Sequence, residues 1–197
     1  MTAARLADPR SNMARYQAGL KTEARIVDAT RDLLGEAGLD GTTLKAICDR
    51  AGVRAGSFYN LFPSKEAVVL RVVREAITAV DPHPDGDADS LGELIEAYLK
   101  FVTNESALAK IYLQMAVTGA VGDGEIASRI VRHHAARLER FSAAIGRERP
   151  ELSTEDARAE ANVLLATLNG LLLAWAVNPA FDLVGHVRLA TSDYVAG

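Results

Sequence analysis

Residues 42–69 read TTLKAICDRAGVRAGSFYNLFPSKEAVV, and the punctuation of this stretch decides the fold. Thr42 or Thr43 can N-cap a short helix reaching Ala51, with Leu44 and Ile47 on its inner face. Gly52 stops that helix and permits a sharp turn. A second short segment runs from Arg54 to Leu61. Pro63-Ser64-Lys65-Glu66 then opens a third helix, with Ser64 as cap and Glu66 in the first turn. It runs through Val68, Val69, Val72, Val73 and Ile77 to about Val80. Two short helices about a glycine-bearing turn make a helix-turn-helix. Leu44, Ile47, Val53, Phe58 and Phe62 can share a small core, with Val53 plugging the angle between the helices. The second helix is left with a polar, small-residue face of Arg54, Ala55, Ser57, Tyr59 and Asn60. Such a face can meet base edges in a major groove, and Gly56 lets the backbone come close.

The flanks extend the pattern. Residues 22–37 place Ile26, Ala29, Leu33 and Leu34 at helical spacing; Gly38 is a stop and Asp40-Gly41 a turn. Residues 1–20 carry Arg5, Arg10 and Arg15 without a sustained apolar period. They read as a flexible N-terminal arm, either a solvated tail or a contact to the DNA backbone. Downstream, DPHPDGDAD over residues 81–89 reads as a loop. Ser90-Leu91-Gly92-Glu93 is a capping box. The expected helices beyond it cover 91–104, 106–118, 124–148, 154–177 and 180–195. Ser153 to Asp156 marks one start, and Asn178-Pro179 ends one helix and opens the next. No strand-like alternation and no internal repeat is present. The fold class is therefore all-α: a three-helix DNA-binding domain over 21–67, then a larger helical domain over 68–197.

Composition agrees with this reading. Hydrophobic residues make up 49% and aromatics only 6%, which favours helices around a real core. The one cysteine, Cys48, excludes an intrachain disulfide and any CxxC site. Residues 1–19 lack the apolar segment of a signal peptide. The apolar stretch 161–177 is interrupted by Asn162, Thr167 and Asn169, so a cytoplasmic protein with no membrane span is expected. The net charge of −4 divides unevenly. Residues 1–67 hold 10 Lys and Arg against 8 Asp and Glu; the remainder holds 12 against 18. A mildly basic head on an acidic body is compatible with DNA docking by the head.

The stretch at 43–68 resembles the DNA-binding signature of the TetR (tetracycline-repressor) family. The matching residues are Thr43, Ile47, Ala51, Gly52, Val53, Gly56, Phe58, Tyr59, Phe62, Ser64, Lys65 and Glu66. The resemblance implies that Thr43, Tyr59 and Lys65 bind phosphates, and that Arg54, Ala55, Ser57 and Asn60 read or line the groove. The lesser alternatives are that Lys65 is simply a solvated first-turn residue and that Tyr59 packs its ring on the core. Three positions depart from the pattern. Cys48 replaces a small alanine. Arg54 stands where Ser or Thr is usual, and can pair with guanine or neutralise a phosphate. Leu61 replaces a Tyr or His that touches the backbone, so one phosphate contact is lost.

For the body, the resemblance implies an effector-binding and dimerisation domain whose last two helices form a four-helix bundle with a second copy. The segment 159–177 suits that role, being apolar nearly all round, and Ala161, Gly170 and Ala174 would admit a close helix; a central buried helix in a monomer is the alternative. A palindromic operator needs two recognition helices, hence a homodimer. Effector-contact candidates are Tyr98, Phe101, Tyr112, Met115, Phe141, Asn169 and Trp175, each of which could also be plain core. No cofactor is expected. His133 and His134 are adjacent and diverge by about 100° on a helix, so no metal site is expected from them, nor from His83. GxSxG, Walker, HExxH and ExxH patterns are absent, and the GxGxxA match at 122–127 follows no strand. The sequence thus predicts a repressor released by a small molecule, not an enzyme. The alternative is a helical small-molecule-binding protein or enzyme that does not act through DNA.

Overall fold

The computed structural model describes residues 9–81, 89–119 and 124–195, and every regular element among them is a helix. Residues 1–8 of the expected arm, 82–88 of the expected loop with His83, and Gly122-Asp123 lie outside the described residues. The chain divides into two units between Val72 and Val73, slightly beyond the expected boundary at 67.

The first unit holds α1 (Pro9–Gly41), α2 (Leu44–Ala51), α3 (Ala55–Tyr59) and the start of α4 (Lys65–Val80). Helix α1 begins earlier than its apolar period predicts, so residues 9–20 are helical. Pro9 fits the first helical position, and the following Ala, Arg, Met, Gln and Leu are good helix formers. Propensity here supplies a helix whose described apolar side chains Met13, Tyr16 and Leu20 are exposed. At the other end Gly38, with φ 66°, turns the chain. The buried Thr42 hydroxyl closes that turn by donating to the Gly38 carbonyl at 2.6 Å.

Thr43 is the N-cap of α2, its hydroxyl accepting from the Ala46 N–H at 3.1 Å. Gly52 ends α2 at φ 64° in the left-handed region, where a Cβ would be strained. Arg50 donates two hydrogen bonds to the Glu36 carboxylate, at 2.7 and 2.8 Å, tying α2 to α1. Ile26, Leu34, Ile47, Phe58, Val68 and Val69 fill the core of this unit. Leu44 and Val53, expected with them, are only half-buried.

The second unit begins in α4 and continues with α5 (Leu91–Asn104), α6 (Ser106–Gly119), α7 (Gly124–Glu148), α8 (Thr154–Val177), α9 (Leu183–Ala190) and α10 (Ser192–Val195). The Ser90–Glu93 capping box forms in full. Ser153 caps α8 by accepting from the Asp156 N–H. Helix α8 packs against α6, α7 and α9 through Ala157, Ala161, Leu164, Leu165, Leu168 and Leu172. The expected single helix over 180–195 starts later and is interrupted. Asp182 accepts from the Gly185 N–H and sets the start at Leu183, and Thr191 separates α9 from α10. Residues 178–181 form a turn in which the Phe181 N–H donates to the Asn178 carbonyl.

Candidate nucleic-acid interface and cavity

Helix α3 spans five residues, far below the length at which an isolated helix survives in water. It exists because Phe58 anchors it. That ring is 0% exposed and lies edge-on to Tyr59 at 5.6 Å and tilted to Phe62 at 5.8 Å. The Arg54 carbonyl accepts from the N–H groups of Ser57 and Phe58 and closes the first turn. With Phe58 turned inward, Arg54, Ala55, Gly56, Ser57, Tyr59 and Asn60 are all exposed. Arg54 is the N-cap, in extended conformation, and its side chain caps nothing. Nothing lies within 4 Å of where a Cβ on Gly56 would sit, so the chain itself leaves that side of α3 open.

Thr43 is exposed at the start of α2, and its capping role uses the hydroxyl as acceptor, leaving its proton available. Tyr59 is 55% exposed although its ring edge meets Phe58. Lys65 is placed differently from a free cation: its Nζ donates to the Leu39 carbonyl at 3.4 Å and sits 3.9 Å from Glu66. It tethers the start of α4 to the end of α1. The sequence pattern showed the lysine but could not show this long-range tether.

The second unit holds a partly open cavity of about 290 Å³, at the small end of ligand pockets. Five of the seven aromatic and polar candidates line it: Tyr98, Phe101, Tyr112, Phe141 and Asn169. Met115 and Trp175 do not. Met115 is buried in the core, and Trp175 is covered by the Lys110 ammonium at 4.2 Å from its ring. Periodicity cannot tell which apolar residue borders a void. The polar wall was missed altogether: Arg74, Asp81, His133, Arg137 and Arg140 also line the cavity. They come from α4, from Asp81 just past its end, and from successive turns of α7, a spacing visible in sequence only after the partner helices are known.

The electrostatics of this wall are set by burial. Burial pushes the Tyr98 phenol up to about 12, the Arg137 charge opposing it, and its hydroxyl donates to the Leu168 carbonyl at 2.8 Å. Burial likewise raises Tyr112. Arg140 donates two hydrogen bonds to Asp81, both at 2.6 Å, and its Nε donates to Asp89 at 2.9 Å. The bonds to Asp81 hold its charge firmly in spite of desolvation. Burial, then Arg137, Arg74 and His134, lower His133 below its ordinary 6.5. The unfolded chain therefore takes up a proton near 6.5 that native His133 refuses, and this residue costs stability as pH falls below that value. Exchanging His133 for Gln is expected to shrink the drop in melting temperature between about pH 7.5 and pH 5.5. An unchanged drop would place His133 in solvent.

Comparison with known proteins places these units. Residues 26–72 match the family model described as bacterial regulatory proteins, tetR family. An HTH-type transcriptional repressor KstR2 of Rhodococcus jostii is 40% identical over 58 residues, 29% of this chain and 28% of that protein. The chain thus spans less than a third of that relative, and the match falls short of its body. A regulator BetI of Cronobacter sakazakii is 27% identical over 186 residues, covering 87% of each chain. Among solved structures, a TetR-family transcriptional regulator from Agrobacterium tumefaciens superposes with a TM-score of 0.66 at 18% identity, covering 88% of this chain and 96% of that one. The signature lies on the exposed short helix and its supports, and the likeness in fold extends through the body: residues 26–72 match the DNA-binding region of the tetR family of bacterial regulatory proteins, and the chain as a whole shares the fold of a solved TetR-family regulator.

Proposed function

We propose that the protein is a sequence-specific DNA-binding transcriptional regulator, a repressor that leaves its operator when a small molecule occupies the cavity. The observation that carries this reading is α3, anchored by one buried ring with all its remaining side chains turned to solvent. Apart from Phe58, the rod's side chains serve no packing within the chain, and their chemistry suits a major groove. Arg54, Ala55, Gly56, Ser57 and Asn60 would face bases or line the groove, while Thr43, Tyr59 and Lys65 would approach phosphates, Lys65 by leaving its contact to Leu39. Such work belongs in the bacterial cytoplasm, where the chromosome lies.

The test is selection from a random duplex library followed by a salt titration. An inverted repeat should be enriched, with affinity falling linearly in log–log form as salt rises. No enrichment, or binding indifferent to salt, would end the proposal. On the selected duplex, Arg54→Ala is expected to lower affinity by about tenfold or more and relax preference at one base of each half-site. An equal loss on scrambled DNA would reassign Arg54 to a phosphate.

Helix α8 supports the twofold pairing. Ala159, Val163, Ala166, Gly170, Leu173 and Val177 recur every three or four residues and are all exposed. Val163 is 66%, Leu173 52% and Val177 78% exposed, so this apolar stripe has no partner among the described residues. Ala161, by contrast, is fully buried and packs inward. Helix α8 is also long and apolar enough to cross a membrane by length and composition. Its first turns, however, carry Glu155, Asp156, Arg158 and Glu160, and its other face packs on α6 and α7. A second copy of α8 and α9 is the occupant we favour. A Cβ on Gly170 meets nothing within 4 Å, so Gly170→Leu should leave the folded chain at least as stable while blocking close approach of another helix. Light scattering should show dimers for the parent and monomers for the variant. Dimers in both would move the interface elsewhere.

Release would work through α4, one helix that starts at Lys65 in the head and whose Ile77, Thr78 and Val80 line the cavity. A ligand shifts the DNA-bound population only by its differential affinity for the two states.

A further inference from the structure

We propose that Arg137 is the anchor for the carboxylate of an amphipathic monoanionic ligand held in the cavity of the second unit. The inference rests on reading that cavity as the effector site and adds the chemical class of its occupant.

Arg137 lies on α7 and is half-buried. Its Nη2 is buried and has no hydrogen-bond partner. Arginine does not shed its proton in proteins, so a cation with an unused donor faces this wall. The Tyr98 and Phe141 rings, 5.3 and 5.5 Å away, offer their π faces to it, which offsets part of the charge and supplies no acceptor for the N–H. The carboxylate on the cavity wall, Asp81, is hydrogen-bonded to Arg140, as is the neighbouring Asp89. A ligand that brings its own anion completes the site.

The rest of the lining defines the ligand's other end. Ile77, Leu94, Phe101 and Leu172 surround an apolar body, and Asn169 adds a neutral polar handle. Arg140 is already committed to Asp81 and Asp89, so the unused buried donor on Arg137 calls for a single anionic head. A carboxylate also matches a guanidinium in shape as well as charge, since two oxygens can accept from its planar fork.

The test uses the full chain and calorimetric titration with straight-chain carboxylates from butanoate to decanoate, phenylacetate, the primary amide of each, and phenyl phosphate. At least one carboxylate should bind about tenfold or more tightly than its amide. Arg137→Met should erase that preference, and Arg137→Lys should keep part of it. Unliganded Arg137→Met should melt no lower than the parent, because it removes a buried charge and keeps the packing on Tyr98 and Phe141. Equal binding of acid and amide, or a preference untouched in Arg137→Met, would overturn the anion site and leave the effector reading standing. Tighter binding of phenyl phosphate than phenylacetate, or no binding by any carboxylate, would overturn it too. A carboxylate held through Arg137 that leaves duplex affinity unchanged would uphold this inference and contradict effector-driven release.

Discussion

Phe58→Ala is expected to remove about 3–5 kcal/mol from the stability of the head, and DNA binding with it. The ring is fully buried and is the one inward side chain of α3. Without it the five residues Ala55–Tyr59 have neither length nor propensity to remain helical. Arg54, Ser57 and Asn60 would then lose the rigid spacing that base contacts require. Phe58→Leu should keep most of the burial and lose far less. Urea unfolding, with hydrogen exchange read over residues 44–62, measures both. A loss under about 1 kcal/mol for the alanine variant would mean that the head collapses around the gap or that α3 is held by something else.

The second large effect belongs to the body. Arg140→Met is expected to cost about 3–5 kcal/mol, the range for breaking a buried ion pair from one side. Arg140 bonds Asp81 twice and Asp89 through Nε, and the Asp89 side chain is only 2% exposed. Arg147 also donates to the Asp89 backbone carbonyl, so the entry to α5 is pinned from α7 by two arginines. Losing the Arg140 guanidinium strips Asp89 of a close cationic partner in a site water barely reaches. The double variant Arg140→Met, Asp89→Leu should recover the part of the loss that comes from stranding the more buried Asp89, while the part due to Asp81 remains. Thermal unfolding of the single and double variants gives the comparison. A single-variant loss below about 1 kcal/mol would class the pair with ordinary surface bridges.

These two sites differ in how far the sequence announces them. Gly52, Phe58 and Ser64 act over a few residues, so their roles follow from local chemistry: a left-handed turn, an apolar anchor and a cap. The Ser90–Glu93 box and Ser153 set their helix starts for the same reason. Where the sequence misled, a competing local preference won. Residues 9–20 lack an apolar period but have helix-forming composition, and Asp182 outcompetes Pro179 as the start of α9. The exposed stripe of α8 was half legible: its apolar surplus is in the sequence, but that Ala161 turns inward and Gly170 outward depends on how the helix is rotated against α7. The charged cavity wall was illegible. Arg137 and Arg140 are two of many arginines until α4 and α5 are packed beside α7. Only then does one of them prove to be paired and the other to have an unsatisfied N–H.

The central claim is that two copies of α3 enter a duplex together. Hydroxyl-radical and methylation-interference footprinting on the selected duplex tests it directly, with Arg54→Ala run alongside. Two symmetric major-groove patches, centred about 34–36 Å apart or a multiple of that, are expected, and one base signal in each should vanish with Arg54→Ala. A single patch, protection without symmetry, or a pattern untouched by Arg54→Ala would contradict the claim.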